Sequence, residues 1–335
     1  MPHLLDRERL LALLAAGGSK RVAIIGDAML DVYLRGEVDR ISPEAPVPVV
    51  RVRERRHALG GAANVAQNVA ALGAHAELVA MIGRDAAGER IRQMLVEIGA
   101  EPGSLVEVGR PTTTKTRLVA RAQQLVRFDE EEDGDLVGEE GARLLDAARR
   151  AIEGADAVVL QDYNKGVLVP DVISEVIALA RRRGVPVVVD PKYRNFFAYR
   201  GATVFKPNRR ELESALGADV EVDHPVALKE ALDRLGVEQL LLTLGERGMA
   251  FMSPDGNVTR IPTTAREVYD VVGAGDTVTA YLAVMLAAGA PMRDAAVIAN
   301  FAAGVEVGKL GAATVTAEEV VEAYDHYVAL PATSG

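Results

Sequence analysis

Short, nearly unbroken apolar runs alternate along this chain with longer stretches in which apolar residues recur every three or four positions. The runs Val22–Gly26, Glu77–Met81, Ala157–Gln161, Val185–Asp190, Thr203–Phe205 and Gln239–Thr243 predict strands buried on both faces. Helices are predicted over Ala62–Leu72, Ala86–Ile98, Glu139–Ile152, Val172–Arg183, Arg209–Leu216, Pro225–Leu235, Gly275–Ala288 and Met292–Val307. Alternation of this kind implies an α/β fold, a mainly parallel, doubly wound sheet between two helical layers. Ligands of such sheets bind at the carboxyl ends of the strands. The residues there are Asp27, Asp162, Asp190 and Thr243, three of them acids.

Two segments break the alternation. Val32–Leu59 holds Pro43, Pro46 and Pro48, and then Val49–Arg53 alternates apolar with basic. Thr112–Asp129 also alternates, through Lys115, Arg117, Val119, Arg121, Leu125 and Arg127. Both predict half-exposed antiparallel strands. They form a small sheet standing off the main one as a lid, at about residues 32–59 and 105–129 of a single domain spanning 1–335. Between Arg110 and Arg127 lie five cations and no acid: Arg110, Lys115, Arg117, Arg121 and Arg127. They form either a solvated face or a clamp for a phosphate carried by the substrate. For a clamp the candidates are Lys115, Arg117 and Arg127, with Lys165 beside them. Strand alternation aligns Lys115, Arg117 and Arg121 on one face if no bulge intervenes. The acidic run Asp129–Asp133 is expected to be a solvated loop.

Composition narrows the function. Of 335 residues, 49% are apolar, enough for a sizeable core. The formal net charge of −10 argues against nucleic acid and anionic membrane as partners. Cysteine is absent, which excludes disulfides and thiolate chemistry and fits a cytoplasmic location. No apolar run reaches membrane-spanning length. Met1–Leu14 mixes leucines with Asp6, Arg7, Glu8 and Arg9, and is expected as a surface helix rather than a signal peptide. The five histidines show no metal-ligand spacing.

The chemistry concentrates in Asp270–Thr279, Asp-Val-Val-Gly-Ala-Gly-Asp-Thr-Val-Thr. Gly273, Ala274 and Gly275 can present bare backbone amides to an anion where a helix starts and its dipole favours negative charge. Asp276 follows at once. A carboxylate beside a phosphate cradle binds phosphate poorly but serves well as a base, so the pairing suggests phosphoryl transfer to a hydroxyl. Read alone, Gly-x-Gly-Asp is also an ordinary helix cap.

Two long motifs in order resolve this. Gly60-Gly-Ala-Ala-Asn-Val-Ala-Gln-Asn-Val-Ala-Ala-Leu-Gly73 resembles the first signature of the ribokinase-like (PfkB) sugar kinases, and Asp270–Thr279 resembles the second. The resemblance runs from about Val22 to about Val321. Gly26-Asp-Ala-Met-Leu-Asp31, Arg40–Val50, Gln123–Arg127, Asp162-Tyr-Asn-Lys-Gly166 and Glu267–Asp270 are similar to the branch that phosphorylates D-glycero-D-manno-heptose 7-phosphate at its anomeric hydroxyl. Some relatives in that branch carry a fused nucleotidyltransferase. No His-x-Gly-His motif follows here, and a kinase alone is expected.

The resemblance implies a ribokinase-like αβα sandwich with a β lid, using ATP and Mg²⁺, and a homodimer joined through lid residues such as Val47, Val49 and Val119. Asp276 is implied as base, with the amides of Gly273–Asp276 stabilising the phosphoryl group. Asp31, Gly60, Gly61 and Asn64 are implied at the sugar, and Asn68 as structural. Asn208 is implied at nucleotide phosphate and Glu211 at Mg²⁺ through water; the pair also matches an ordinary capping box. Thr243, Gly245, Arg247 and Gly248 are implied beneath the nucleotide, and Asn300 beside its base. Asp270 is implied near a monovalent cation, as in some family members.

Overall fold

The computed structural model describes residues 5–121, 123–222, 225–265 and 267–329. Nine strands form the main sheet: β1 (Arg21–Gly26), β4 (His75–Gly83), β5 (Leu105–Val108), β8 (Ala157–Gln161), β9 (Val187–Asp190), β10 (Val204–Phe205), β11 (Gln239–Thr243), β12 (Met249–Met252) and β13 (Val258–Ile261). Four more, β2 (Ala28–Ile41), β3 (Pro48–Gly61), β6 (Thr114–Ala120) and β7 (Gln123–Glu130), form a second sheet. The main sheet runs β13-β12-β11-β10-β9-β8-β1-β4-β5, parallel except at β11–β12 and β12–β13.

The strands read as continuous apolar runs because both of their faces are buried. Val22 and Ile24 face one hydrophobic cluster, whereas Ala23 and Ile25 face the other. The first cluster takes in helices α1 (Arg7–Gly17), α2 (Ala62–Ala71), α3 (Ala86–Glu97), α8 (Ala274–Ala287), α9 (Met292–Glu306) and α10 (Ala317–Ala329). The second takes in α4 (Gly138–Glu153), α5 (Pro170–Arg183), α6 (Arg209–Leu216) and α7 (Pro225–Leu235). This is the expected αβα sandwich. Strand order diverges at β1 and β8, where chain succession runs outward in opposite directions, and a crevice opens at such a point.

Local rules set several boundaries. Pro170 occupies the first turn of α5, where its missing N–H costs nothing, and Gly184 ends that helix in the left-handed conformation. The hairpin β12–β13 and helix α10 were not read from the sequence. The first element of the chain is a helix, as expected, while Met1–Leu4 lie outside the described residues. Leu105–Val108, expected near the start of the lid, instead joins the edge of the main sheet beside β4.

The second sheet orders as β3-β2-β6-β7. Its hairpins are antiparallel, as expected, but β2 and β6 pair in parallel. The chain leaves the lid through β3, passes through α2, β4, α3 and β5, and re-enters in the same direction, as a parallel pairing requires. A bulge lies between Leu118 and Val119, and Arg121 sits past the strand end with φ +49°. Simple alternation therefore does not carry from Lys115 to Arg121.

Candidate active site

Helix α8 begins at Ala274, behind Gly273 in the left-handed region at φ +99°. A Cβ at Gly273 would meet the Glu306 carboxyl at 2.9 Å and the Asn64 amide at 3.2 Å, so glycine is needed there for both conformation and space. The first helical bond runs from Thr277 N to Gly273 O. The amides of Ala274, Gly275 and Asp276 thus have no partner within the helix and point outward at its positive end. Among small side chains, this is a ready cradle for an anion.

Asp276 is 5% exposed. Asn64 donates to its Oδ2 at 2.9 Å, and Gln161 Nε2 and the Tyr163 hydroxyl donate to its Oδ1 at 2.9 and 2.8 Å. An ionised carboxylate has about four lone-pair sites, so three donors leave one acceptor position for a substrate proton. Burial pushes the Asp276 carboxyl up to about 7; Asn64 opposes this, the Asp190 carboxylate adds to it, and Tyr163 and Lys206 oppose it. Such a group exchanges protons near neutrality.

A second layer extends from the same strand ends. Gln161 Nε2 also donates to Asp190 Oδ2 at 2.9 Å, and Lys206 Nζ pairs with that oxygen at 3.0 Å. Lys206 is only 3% exposed, and its ammonium lies 3.7 Å from where a Cβ would stand on Gly275. Asp27 accepts from the amides of Tyr163, Lys165 and Val167, which fixes the loop carrying Tyr163. Burial pushes Asp27 up to about 6, with Asp162 adding to the shift. Glu306 is buried beneath Gly273, and among the described residues no hydrogen bond of good geometry reaches either oxygen; burial raises it to about 8, Asp270 and Asp276 add to this, and the nearby Ala313 amide opposes it. At neutral pH it therefore sits mostly protonated and places little charge behind the cradle.

A second cluster gathers around Asp31 and the Gly60–Asn64 turn. Asp31 is buried and bound by Arg117, whose guanidinium also lies over the Tyr33 ring at 5.2 Å. A Cβ at Gly60 would meet Asp31 Oδ2 at 2.7 Å, and one at Gly61, at φ +60°, would meet the Asp27 carbonyl at 2.3 Å. These glycines are thus required first by the protein's own packing. Asn68 bonds back to Asn64 and accepts from Thr277, a structural role as expected.

The lid cations add ion pairs to the sequence reading of the acidic run. Lys115 pairs with Asp129 and Glu131 at 3.5 and 3.6 Å, Lys165 with Glu131 at 2.7 Å, Arg127 with Asp129 at 2.9 Å, and Arg194 with Asp133 at 2.5 Å. The run is exposed as expected, and within it Asp129, Glu131 and Asp133 serve as counter-charges. Arg110 serves the backbone, donating to Lys165 O and Gly134 O. Arg117, Val119 and Arg121 line a cavity of about 620 Å³ between the lid and Asp270, Val272 and Leu310. Lys115 shares the strand face of Arg117 but pairs with Asp129 and Glu131 outside this lining. Val119 is half-buried in the lining of that cavity.

On the opposite side of Asp276, Asn208 and Glu211 form a complete capping box at the start of α6. Thr243 bridges to Asn208 at the adjacent strand end. After Thr243 the chain makes a short 3₁₀ turn, Gly245–Arg247. Gly245 and Gly248 take positive φ, and a Cβ at Gly248 would strike the Ile261 carbonyl at 2.2 Å. Arg247 is exposed beside them. Asn300 commits its amide to the Pro262 carbonyl at 2.8 Å, and lines a small cavity with Ile261, Val297 and Phe301. Asp270 accepts from the amides of Val272 and Gly311, tying together the two loops beside the cradle.

Among the described residues, no group of three or more acids or histidines could cage a metal ion. The donor set suits Mg²⁺ only in its hydrated mode, held mainly by phosphate oxygens with Glu211 reached through water. Glu211 Oε2 accepts from Asn208 N at 2.8 Å, and its Oε1 is held by Lys192. Gln161, Tyr163, Asp190, Lys192 and Lys206 were not singled out as site residues from the sequence. Their signals were position, at the carboxyl ends of β8, β9 and β10, and for Tyr163 also its place in the Asp162–Gly166 motif.

The family model for "pfkB family carbohydrate kinase" matches residues 19–319. The chain is 45% identical over 323 residues to "Bifunctional protein HldE" of Rhodospirillum rubrum, covering 94% of this chain and 64% of that protein. It thus spans just under two thirds of that relative's length. An Arabidopsis thaliana ribokinase, solved with ribose and ATP, superposes with a TM-score of 0.72 at 21% identity, over 91% of this chain and 98% of that one. A tetrameric inhibited form of phosphofructokinase-2 from Escherichia coli superposes with a TM-score of 0.76 at 19% identity, over 92% and 99%. These two likenesses establish the ribokinase-like fold.

Proposed function

We propose a function from one premise: the chain belongs to the pfkB family of carbohydrate kinases. It transfers the γ-phosphoryl group of ATP to the anomeric hydroxyl of D-glycero-D-manno-heptose 7-phosphate, giving the 1,7-bisphosphate. This places it on the route to ADP-heptose and the lipopolysaccharide core, with the β anomer favoured by the motif match. The observation that carries the chemistry is Asp276, held by three neutral donors with one acceptor position open, directly beside the unpartnered amides that open α8. The heptose branch is supported by the motifs around Asp31, Arg40–Val50 and Asp162–Gly166, and by the likeness to HldE.

In the mechanism, Asp31, Gly60, Gly61 and Asn64 orient the sugar so that its C1 hydroxyl faces Asp276. Asp276 takes that proton. The amides of Gly273, Ala274, Gly275 and Asp276 stabilise the charge on the phosphoryl group in flight. Bound ATP with hydrated Mg²⁺ supplies the phosphoryl group and neutralises its charge. Asn208, Thr243, Gly245, Arg247 and Gly248 bind the nucleotide phosphates and ribose, Asn300 shapes the base pocket, and Asp270 would help hold a monovalent cation, which would add positive charge beside the cradle. At the far end, Lys115, Arg117, Arg127 and Lys165 hold the 7-phosphate. Glu131, lying between Lys115 and Lys165, then acts as an internal stand-in that the phosphate displaces. Lid closure excludes water and limits wasteful hydrolysis.

ATP-dependent phosphorylation of the heptose 7-phosphate is measured beside fructose, fructose 6-phosphate and ribose, with the product position read by phosphorus NMR. Turnover confined to the heptose phosphate, at C1, is expected. Turnover with an unphosphorylated sugar instead overturns the clamp and moves the chain to another branch. A cytoplasmic location and a homodimer complete the reading. The outer lid exposes Ile41, Val47, Val126 and Phe128, apolar surface suited to a second copy. Sedimentation as a monomer alone at micromolar concentration rules the dimer out.

A further inference from the structure

Lys192 follows β9 by two residues and stands between the two halves of the site. Its ammonium group pairs with Glu211 Oε1 on the nucleotide side. It also lies 5.6 Å from the centre of the Tyr163 ring, whose hydroxyl bonds the base Asp276. The other cation of this crevice, Lys206, is enclosed and committed to Asp190. Lys192 has a side chain 34% exposed on a flexible stem. Three carboxylates, Glu211, Asp190 and Asp276, act on its charge; burial lowers the ammonium's proton affinity, but together they outweigh it and leave it raised.

Glu211 makes this arrangement unstable toward nucleotide. Its Oε2 accepts from the Asn208 amide and its Oε1 from Lys192, so the free lone pairs of Glu211 lie beside the Lys192 ammonium. Lys192 and the water shell of a metal would claim the same atom. One carboxylate oxygen can accept from both, but a hydrated divalent cation at Glu211 repels the ammonium, and the other carboxylates acting on Lys192, Asp190 and Asp276, lie toward the crevice where the phosphoryl group passes.

We propose that Lys192 is a catalytic residue whose ammonium group leaves Glu211 on nucleotide binding and contacts the phosphoryl group during transfer. The proposal rests on the kinase reading above. In the step, the acceptor oxygen bonds to phosphorus and the bond from phosphorus to the bridging oxygen of the nucleoside diphosphate breaks. Asp276 keeps the hydroxyl proton, and Lys192 follows the charge without giving up a proton of its own. A compact lysine charge suits a group whose three oxygens move during the reaction.

The test compares Lys192→Met and Lys192→Arg with the parent protein in three measurements. These are turnover, calorimetric affinity for a non-hydrolysable ATP analogue with Mg²⁺, and the Mg²⁺ concentration giving half-maximal analogue binding. For Lys192→Met, turnover is expected to fall by about a hundredfold or more, the loss typical of one donor to a developing charge. Analogue affinity should stay level or tighten, and less Mg²⁺ should be needed, because the competitor for Glu211 is gone. Lys192→Arg should recover part of the turnover and the parent's Mg²⁺ requirement. Thermal melting should change little, since the side chain is partly exposed. Turnover of Lys192→Met within threefold of the parent overturns the proposal. So does a loss of analogue affinity equal to the loss in turnover, which would make Lys192 a binding or structural group. If the parent phosphorylates no sugar at all while binding the analogue, the kinase reading falls and takes the proposal with it.

Discussion

The start of α8 and the lid hold their carboxylates in opposite ways. Asp276 is surrounded by neutral donors, Asn64, Gln161 and Tyr163, and burial leaves it titrating at about 7. Asp31, Asp129 and Glu131 are instead met by Arg117, Arg127, Lys115 and Lys165. For Asp129, burial raises the carboxyl, but Arg127 and Lys115 outweigh it and leave it lowered. The neutral donors lower the proton affinity of Asp276 by less than burial raises it, so it is oriented and stays basic, as a base requires. Cations remove basicity but build a charge lattice that a second anion can enter. One region is arranged for proton transfer and the other for recognising charge.

The sharpest way to break this contrast is Asp276→Asn, which keeps the shape and removes the base. Turnover should fall by about 10²- to 10⁴-fold, with nucleotide and sugar affinity retained in calorimetry. Turnover close to the parent's would show that the proton leaves by another route. The double variant Lys115→Ala with Lys165→Ala addresses the lid. KM for the sugar phosphate should rise about tenfold or more while kcat holds, since the lost contacts act on a remote phosphate. An unchanged KM would relocate the phosphate, with Arg117 and Arg121 in the lid cavity as the next candidates.

The smallest effect is also the most specific. Asp276 works ionised, so kcat/KM should rise with pH through a limb near 7 and flatten above it. Tyr163 donates to the ionised form and holds the proton affinity down. Tyr163→Phe should therefore move that limb to higher pH, by a fraction of a unit to about one unit. A limb that stays in place would mean another group controls the rate. The equivalent change in the lid, Arg127→Gln, should leave the limb where it is.

Much of this molecule was legible in its residues. The buried strands announce themselves because each is covered on both faces, so Ala157–Gln161 and Gln239–Thr243 match their apolar runs to the residue. The anion cradle is legible because its parts are neighbours: Gly273 supplies the left-handed turn, and the helix that follows supplies the dipole. The hairpin β12–β13 escaped notice because its strands are only four residues each, too short for a period to register. The parallel pairing of β2 with β6 depended on the path the chain takes between them.

What the sequence determined by itself is local: strand and helix periods, the glycine turn, the acid beside it, and the cations of the lid. The tertiary structure alone decided which charges neutralise one another and how strongly Asp276 holds its proton. Its donors come from positions 64, 161 and 163, more than 100 residues away, and Asp129–Asp133 found its counter-charges on three separate elements. Proton affinity and charge pairing depend on burial and on distance through space, and a linear order of residues encodes neither until the chain has folded.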